Sequence, residues 1–525
     1  MSDAAPSSYE TVPYDSYPFA DTHPDRLATM ARLFGMTPPP VERARVLEFG
    51  CAGGGNLIPM AQAMPEAQFL GVDLSSRQVA DGRAMIEALG LKNIDLRAMS
   101  ILDADESLGT FDYIICHGVY SWVPPEVQQQ ILALCTRQLA PDGVAYVSYN
   151  IYPGWHLRSM VREMMSYHVA SIADPQARID QARAILDFLV QSVWNPGSVY
   201  ARFLEEQAER LKPKADSYVF HEYLEDVNVP LYYHEFVERA AEHGLKVLGD
   251  ARFGSMGVNV SAALKSKLEA LSADPVRQEQ YLEFLRNRTF RRSLLCHEHV
   301  KLAAAPRHEA IAELKVVGLI APVSALPTNT STVLEVFRTP QGATVASDDP
   351  VIKTALTVLH EQLPQPIAFE ALWAEVQSRL ARSPGAGSPQ IDHNPGRLQE
   401  SLLQGYAAGW ATLHVFVPHF VREAGERPVA SPVARLQAEK GSRVTDLWHL
   451  VSELSRFESH VIRLLDGQHD RAALREILAG FVADGKLELR HAGPPPHDPA
   501  RVREIVSQAL EAALKRLAAS ALLIR

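Results

Sequence analysis

Residues 48–56 read EFGCAGGGN, and this stretch decides the fold. It continues the apolar run of residues 44–49 and carries glycine at positions 50, 53, 54 and 55, with small Cys51 and Ala52 among them. Because glycine has no Cβ atom, such a turn lets the backbone come within contact distance of a ligand. The helix predicted to follow offers free N–H groups at its N-terminus. The stretch therefore predicts a strand, a ligand-binding turn and a helix.

Short apolar runs alternate with helical patterns from the turn to residue 150, which is the signature of βαβ units that build a parallel sheet. The predicted strands are residues 44–49, 67–72, 94–98, 111–116 and 144–149, and the predicted helices between them are residues 56–64, 76–89 and 125–139. After Asn150 the pattern changes to long helices, beginning with residues 156–172 and 175–193. The sheet is therefore predicted to end there.

Two carboxylates distinguish among the nucleotide ligands that such a turn could bind. The turn alone, read as G-x-A-x-x-G, also fits a dinucleotide. Glu48 ends the first predicted strand, where it suits the cationic sulfonium and ammonium of S-adenosylmethionine and would repel the pyrophosphate of a dinucleotide. Asp73 ends the second predicted strand, where it can accept ribose hydroxyls of either ligand. The pair of carboxylates therefore favours S-adenosylmethionine.

The turn, Asp73 and the run LAPDGVAYVSYN at residues 139–150 together resemble the class I S-adenosylmethionine-dependent methyltransferases. The resemblance implies a Rossmann-like domain with S-adenosyl-L-methionine as its cofactor. The positions implied to bind the cofactor are Glu48, Gly50, Ala52, Gly54 and Asn56 at the methionine moiety, Asp73 and Leu74 at the ribose, and Ser100 and Ile101 at the adenine. Ala52 departs from the usual glycine of the family, and the neighbouring Gly53 makes this departure tolerable.

Aromatic residues follow the fourth and fifth predicted strands, at the sheet edge where ligands of open α/β folds bind. Methyl transfer needs a nucleophile lone pair about 3 Å from the methyl carbon, and a lysine amine with a pKa of ~10.4 must first lose a proton. The candidates for catalysis are Tyr14, His117, Tyr120, Trp122 and Tyr152, and His117 is also a candidate for contacting the cofactor. Packing in the core is an equal alternative for His117, Tyr120 and Trp122.

An aromatic arm precedes the sheet and reads YETVPYDSYPFADTHP over residues 9–24. Its three prolines favour an extended conformation. Two interpretations stay open for this segment. It is either a lid over the ligand, which would bring Tyr14 to the site, or a strap that closes the edge of the sheet.

A narrower resemblance rests on longer motifs, which are YDSYPFADTHP, LEFGCAGGGN, HGVYSWVP, YNIYPGWH, HEYLEDVNVPLYYHEFVERAAEHGL and FLRNRTFRRSLLCH. They are similar to bacterial methyltransferases with a methyltransferase regulatory domain, which include rickettsial-type lysine methyltransferases acting on outer-membrane proteins. The resemblance covers residues 1–310 well and the last third more loosely. It implies a protein substrate with accessible lysines, such as an outer-membrane protein before its export, and a C-terminal domain for substrate binding or for forming a homodimer.

The predicted fold class is α/β with three domains. Residues 1–195 form the arm and a Rossmann-like class I methyltransferase domain, and residues 196–320 form a mainly helical regulatory domain that caps it. Residues 321–525 form an α+β, winged-helix-like domain. The last prediction rests on residues 450–490, where the sequence reads as a helix, an Asp-Gly turn, a second helix and a strand.

Composition excludes several functional classes. The formal net charge of -11 and pI near 6.0 argue against nucleic acid as a partner, because phosphate binding needs clustered Lys and Arg. The four cysteines form no CxxC pair, and Cys296-His297-Glu298-His299 matches no zinc motif, so no metal site is predicted. No run approaches ~18 apolar residues and the N-terminus lacks a signal-peptide pattern, so the expectation is a cytoplasmic protein without membrane insertion.

The acceptor of the methyl group stays open at this point. Methyl transfer to lysine side chains of a protein is the leading interpretation. One alternative is a methyltransferase for a small molecule, and another is a regulatory protein that binds S-adenosylmethionine with little catalysis. An open acidic groove over the cofactor would favour a lysine-rich chain, whereas a closed apolar pocket would favour a small acceptor.

Overall fold

The computed structural model describes residues 11–12, 16–257, 260–324, 333–382, 394–488 and 498–525. Tyr14, one of the catalytic candidates, lies outside the described residues. Within these ranges, the helices are either too short or too polar to cross a lipid bilayer.

A seven-stranded sheet forms the centre of the protein. Its strands are β1 (Arg45–Phe49), β2 (Gln68–Asp73), β3 (Ile94–Ala98), β4 (Phe111–Cys116), β5 (Leu139–Asn150), β6 (Leu245–Asp250) and β7 (Phe290–His297), in the order β3-β2-β1-β4-β5-β7-β6. Strands β1 to β5 run parallel, and β7 is antiparallel to both of its neighbours. The five strands predicted between residues 44 and 149 and the Rossmann-like class are confirmed.

The prediction that the sheet ends near residue 150 is wrong. Strand β7 pairs with β5 from Ala145↔Leu295 to Asn150↔Phe290, and β6 pairs with the far side of β7. The sheet therefore continues across the predicted domain boundary at residue 195 and takes two strands from the segment predicted as a helical cap. A short apolar run between long helices does not reveal its pairing partner, because periodicity reports burial and not contacts distant in sequence.

Helices cover both faces of the sheet and fill the connection between β5 and β6. Their bounds are α1 (Pro24–Leu33), α2 (Leu57–Ala63), α3 (Ser76–Leu89), α4 (Pro125–Gln138), α5 (Trp155–Val169), α6 (Pro175–Ser192), α7 (Val199–Leu211), α8 (Asp216–Tyr223), α9 (Tyr233–Glu242), α10 (Ala262–Leu271) and α11 (Pro275–Arg286). Ser75 caps the N-terminus of helix α3, where its side chain accepts from Gln78 N, and Gly90 caps the C-terminus with a φ of 66°. Helices α5 to α8 form an insertion with its own apolar core.

The C-terminal third contains two units, and the first shares a core with the sheet domain. That unit holds β8 (Lys315–Gly318), β9 (Ala321–Pro322), β10 (Glu335–Arg338), β11 (Thr344–Ser347), α12 (Pro350–Gln362), β12 (Ile367–Ala368), α13 (Phe369–Ala381), α14 (Gly396–Ala408) and β13 (Ala411–His414). The second unit holds α15 (Pro432–Lys440), β14 (Arg443–Thr445), β15 (Val451–Glu453), α16 (Arg456–Leu464), α17 (Arg471–Ala483) and α18 (Pro499–Ala519).

The second unit has the predicted winged-helix class and order of helix, turn and helix, whereas residues 484–488 after the second helix form no strand and residues 489–490 lie outside the described residues. Helices α16 and α17 flank the Asp466-Gly467 turn, where Gly467 has a φ of 82°. The unit docks on α2, directly after the glycine-rich turn, because Ser431 Oγ and Val433 N donate to Gln62 Oε1 at 3.0 and 2.8 Å. The C-terminal domain therefore lies beside the predicted ligand site.

Candidate functional site

The glycine-rich turn connects β1 to α2 through backbone conformations that most residues avoid. Gly50 and Gly54 have φ values of 71° and 72°, and Ala52 has a φ of 48°. Asp73 holds this turn, because its Oδ2 accepts from Ala52 N at 2.8 Å while its Oδ1 accepts from Ser75 N at 2.8 Å. Alanine therefore stands in place of the family's usual glycine at a backbone conformation that strains it. The hydrogen bond from Ala52 N to Asp73 offsets this strain.

The carboxylate of Glu48 is buried beside the turn. Asn56 Nδ2 donates to its Oε1 at 2.8 Å, whereas Oε2 has no hydrogen-bond partner among the described residues. Burial raises the pKa of Glu48 to about 8, although the hydrogen bond from Asn56 acts in the opposite direction. A buried carboxylate oxygen without a partner costs free energy unless a donor or a cation reaches it. Oε2 is therefore a candidate ligand for a cationic group.

The described part of the arm lies on the turn. Gly55 N donates to Ser16 Oγ at 2.7 Å, and Phe19 N donates to Asn56 Oδ1 at 2.9 Å. A Cβ atom on Gly55 would overlap the carbonyl of Ser16, so glycine at this position lets the arm approach. Thr22 Oγ1 accepts from Asn56 Nδ2 at 2.9 Å. These contacts give the arm the position of a lid over the turn.

An ion-pair cluster fastens the arm to the strands that the sequence did not assign to the sheet. Asp21 Oδ2 lies 2.7 Å from Arg252 Nε and 3.1 Å from Arg292 Nε. Arg292 is on β7 and Arg252 follows β6. The positive charges that hold the described part of the arm therefore come from β7 and from the segment that follows β6.

His117 follows β4 and packs beneath the arm. Its ring lies 4.0 Å from that of Phe19, and its Nδ1 is 2.9 Å from the hydroxyl of Tyr146. Burial, with a smaller contribution from Arg292, lowers the pKa of His117 to about 3. A base with this pKa cannot hold a proton taken from a lysine ammonium, whose pKa is ~10.4. The residue is suited to contact a ligand as a neutral ring and not to act as a general base.

Tyr120, Trp122 and Tyr152 occupy different surroundings. Tyr120 is fully buried, and its ring packs against those of Tyr149 and Phe236, which favours the packing alternative. Trp122 is partly buried and contacts the ring of Trp155 edge-on. Tyr152 is partly buried and stacks on His156 at 4.0 Å. Burial and the neighbouring Tyr232 raise the pKa of Tyr152.

The residues predicted to contact ribose and adenine lie at the carboxyl ends of β2 and β3. Leu74 follows Asp73 and is 66% exposed, which is unusual for a leucine beside a buried turn. Ser100 Oγ accepts from Leu102 N at 3.2 Å, and Ile101 packs against the core. The edge therefore offers a carboxylate next to exposed apolar surface, which suits a ribose and an adenine ring.

Sequence analysis singled out neither a residue that contacts the turn from a distant domain nor two asparagines whose side-chain nitrogens lack a partner in the described part of the chain. His449, between β14 and β15, donates from Nε2 to Asn56 Oδ1 at 2.8 Å across 393 residues of sequence. Asn150 at the end of β5 and Asn228 both bury a side-chain Nδ2 that lacks a partner among the described residues. The motif YNIYPGW already contained Asn150, but His449 carried no local signal, because only the docked winged-helix unit brings it to the turn.

Family comparisons cover the three regions of the chain. Residues 46–143 match a methyltransferase domain, and residues 215–297 match a predicted methyltransferase regulatory domain. Residues 426–522 match the C-terminal winged helix domain of PKMT. These spans include the glycine-rich turn, strands β6 and β7, and His449.

Whole-chain relatives share this arrangement. The chain is 34% identical to an uncharacterized protein of Rickettsia prowazekii over 98% of this chain and 93% of that protein. A second uncharacterized protein of that organism is 45% identical over 46% of this chain and 96% of its own length. The solved structure of PKMT2 from Rickettsia typhi in complex with AdoHcy is similar at 32% identity and a TM-score of 0.86, covering 98% of this chain and 100% of that chain.

Proposed function

The chain belongs to the rickettsial-type, PKMT-like class I methyltransferases, which use S-adenosylmethionine, and from this premise we propose that it methylates lysine side chains of a protein. The observation that supports this proposal best is the likeness to PKMT2 along the whole chain, including its winged-helix domain. A small-molecule enzyme would need only the sheet domain and a pocket, whereas this chain keeps a large additional domain beside the turn.

The residues of the turn fit the cofactor. Glu48 Oε2 is a buried acceptor without a partner among the described residues, and the ammonium of S-adenosylmethionine is opposite in charge to the ionised carboxylate. Gly50 and Gly54 give the turn the positive φ values that bring its backbone to the end of β1, and Asp73 at the end of β2 would lie beside the ribose. Leu74 would lose its exposed apolar surface to the nucleoside. When bound, the cofactor supplies the electrophilic methyl group.

The acceptor would enter beside the aromatic residues that follow β4 and β5. Tyr152 and the exposed His156 form an aromatic pair there, whereas Trp155 is fully buried. Aromatic rings attract the positive charge of a lysine ammonium. After the ammonium loses its proton, the weakly polar surroundings favour the neutral amine, whose lone pair can attack the methyl group. Because His117 is too weak a base, we expect the proton to leave for solvent or through the hydroxyl of Tyr152.

The charge of the chain supports a basic substrate. A formal net charge of -11 attracts lysine-rich segments and repels nucleic acid at ordinary ionic strength. An outer-membrane protein met in the cytoplasm before its export is the substrate class that the family resemblance implies. A homodimer of the chain is part of the same proposal and is checked by sedimentation of the purified protein.

The test uses S-adenosylmethionine with a radiolabelled methyl group and a fractionated bacterial lysate. Label that appears as methylated lysine after acid hydrolysis of the protein fraction supports the proposal, and Glu48→Gln is the control that should transfer far less, because it binds the cofactor weakly. Label confined to small molecules would establish the small-molecule alternative instead. Retained cofactor binding without any transfer would contradict catalysis and favour the regulatory protein.

A further inference from the structure

The winged-helix unit reaches the cofactor site through one side chain. His449 lies in the turn between β14 and β15, and its Nε2 is 2.8 Å from Asn56 Oδ1. Glu48, Asn56 and His449 are only 3%, 3% and 5% exposed, so this contact is sealed from solvent. Asp446 braces the turn by accepting from Trp448 N and Leu450 N at 3.0 and 2.9 Å.

The hydrogen bonds of Asn56 determine which of its atoms faces which partner. Phe19 N is a backbone donor, and its 2.9 Å contact requires Oδ1 of Asn56 as the acceptor. Nδ2 therefore faces Glu48 Oε1, the acceptor at 2.8 Å. Because Oδ1 is an acceptor, His449 must carry its proton on Nε2 and donate it. The amide of Asn56 is thus clamped between the arm, the winged-helix unit and Glu48.

The charge state of His449 is compatible with a cationic ligand nearby. Burial, with a contribution from His23, lowers the pKa of His449 well below its usual value, so the ring is neutral. His23 itself has its pKa lowered to about 4 by burial, and its ring contacts His449 edge-on at 5.3 Å. A neutral donor orients Asn56 without adding a positive charge that would oppose the ammonium of the cofactor.

We propose that His449 is a positioning residue for the cofactor: by holding Oδ1 of Asn56 it keeps Nδ2 on Glu48 Oε1 and leaves Oε2 to accept from the ammonium when the cofactor binds. The C-terminal domain therefore contributes to cofactor affinity. The inference rests on the cofactor site and not on the identity of the methyl acceptor.

The test measures binding of S-adenosylhomocysteine to full-length variants by calorimetry, with thermal unfolding as a check of folding. His449 has a φ of 60°, a conformation that glycine and asparagine adopt readily, so His449→Gly and His449→Asn remove the hydrogen bond without straining the backbone. Both should raise the Kd by about 5- to 20-fold. His449→Gln keeps a donor of similar reach and should restore most of the affinity. If the glycine variant does not fold, the asparagine variant carries the test.

A matched control separates positioning from docking. Gln62→Ala removes the two hydrogen bonds that join α2 to the winged-helix unit and leaves Asn56 and His449 untouched. We expect its Kd to stay close to that of the parent chain. In an Asn56→Ala background, His449→Gly should add little to the loss of affinity. Unchanged affinity in both His449→Gly and His449→Asn would overturn the proposal, and so would an equal loss of affinity in Gln62→Ala. If the parent chain itself did not bind S-adenosylhomocysteine, the cofactor assignment would be overturned instead.

Discussion

Asn56 Nδ2 donates to Oε1 of Glu48 at 2.8 Å, and the other oxygen of this buried carboxylate has no partner among the described residues. One side chain thus fixes the carboxylate while leaving half of its accepting capacity for a ligand. The pKa of about 8 is the signature of this arrangement, because burial without a countercharge favours the protonated acid.

The first prediction is that cofactor affinity rises with pH. Below pH 8 most Glu48 side chains are protonated, and binding the ammonium requires the carboxylate, so the proton must leave on binding. The Kd for S-adenosylhomocysteine should fall about tenfold for each pH unit between pH 6 and pH 7.5. Calorimetry in buffers of different ionisation enthalpy should detect the released proton. Binding that is independent of pH would contradict the role of Glu48.

Glu48→Gln is the control for that prediction. The same carboxyl group should make the stability of the ligand-free parent chain fall with pH, whereas it makes cofactor affinity rise. The folded pKa is raised from 4.5 to about 8, so the parent chain without ligand loses stability as the pH rises through this interval. The amide does not titrate, so the variant should melt at a higher temperature than the parent at pH 8 and show no gain near pH 4.5. The same variant should bind the cofactor weakly at every pH.

The second prediction compares two neighbouring glycines. A Cβ atom at Gly55 would overlap the carbonyl of Ser16, whereas at Gly53 the nearest atom is Gln78 O at 3.5 Å, an ordinary contact. Neither has a positive φ, so alanine is compatible with both backbones. Gly55→Ala should displace the arm, which limited proteolysis would detect as faster cleavage near the N-terminus, and should raise the Kd. Gly53→Ala should behave like the parent. If the two variants had equal cleavage rates and equal Kd values, the close contact between Ser16 and Gly55 would not be needed to hold the arm.

The third prediction concerns the ion pairs of the arm. Asp21→Asn removes the carboxylate that contacts Arg252 and Arg292, so the lid should open more often and S-adenosylhomocysteine should dissociate about 2- to 10-fold faster in stopped-flow measurements. High salt should reduce the difference between variant and parent. Asp95→Asn is the matched control, because this exposed carboxylate also has two arginine partners but lies on β3, away from the arm. A similar increase of the dissociation rate in both variants would rule out a specific role of the Asp21 ion pairs.

The parts of the site that sequence could predict are consecutive in the chain or end neighbouring strands. The turn from Gly50 to Asn56 follows β1 directly, and Asp73 ends β2, so strand alternation alone brings these residues to one edge. The acidic character of Glu48 then distinguishes a cationic ligand from a pyrophosphate by charge. Such inferences need no knowledge of distant contacts.

The parts that sequence could not predict depend on docking between distant segments. Strands β6 and β7 join the sheet only because a helical insertion returns the chain to β5, and His449 reaches Asn56 only because the winged-helix unit packs on α2. No periodicity encodes either contact. The position of Tyr120 was equally open, since an aromatic residue after a strand can face the core or the ligand with the same local pattern.

The fourth prediction uses the two tyrosines that sequence could not tell apart. Tyr120 is fully buried against Tyr149 and Phe236, so Tyr120→Phe should leave kcat and KM for methyl transfer near those of the parent.

Tyr152 is partly exposed beside His156 and keeps its proton because burial raises its pKa. If its hydroxyl guides the acceptor amine or passes its proton to water, Tyr152→Phe should lower kcat by at least about tenfold and alter the pH profile of kcat. Cofactor affinity should be unchanged in both variants, since the ring contacts of the two tyrosines among the described residues are with residues outside the turn. A larger loss of kcat in Tyr120→Phe than in Tyr152→Phe would mean that the acceptor enters from the side of the core and not beside the aromatic residues after β5.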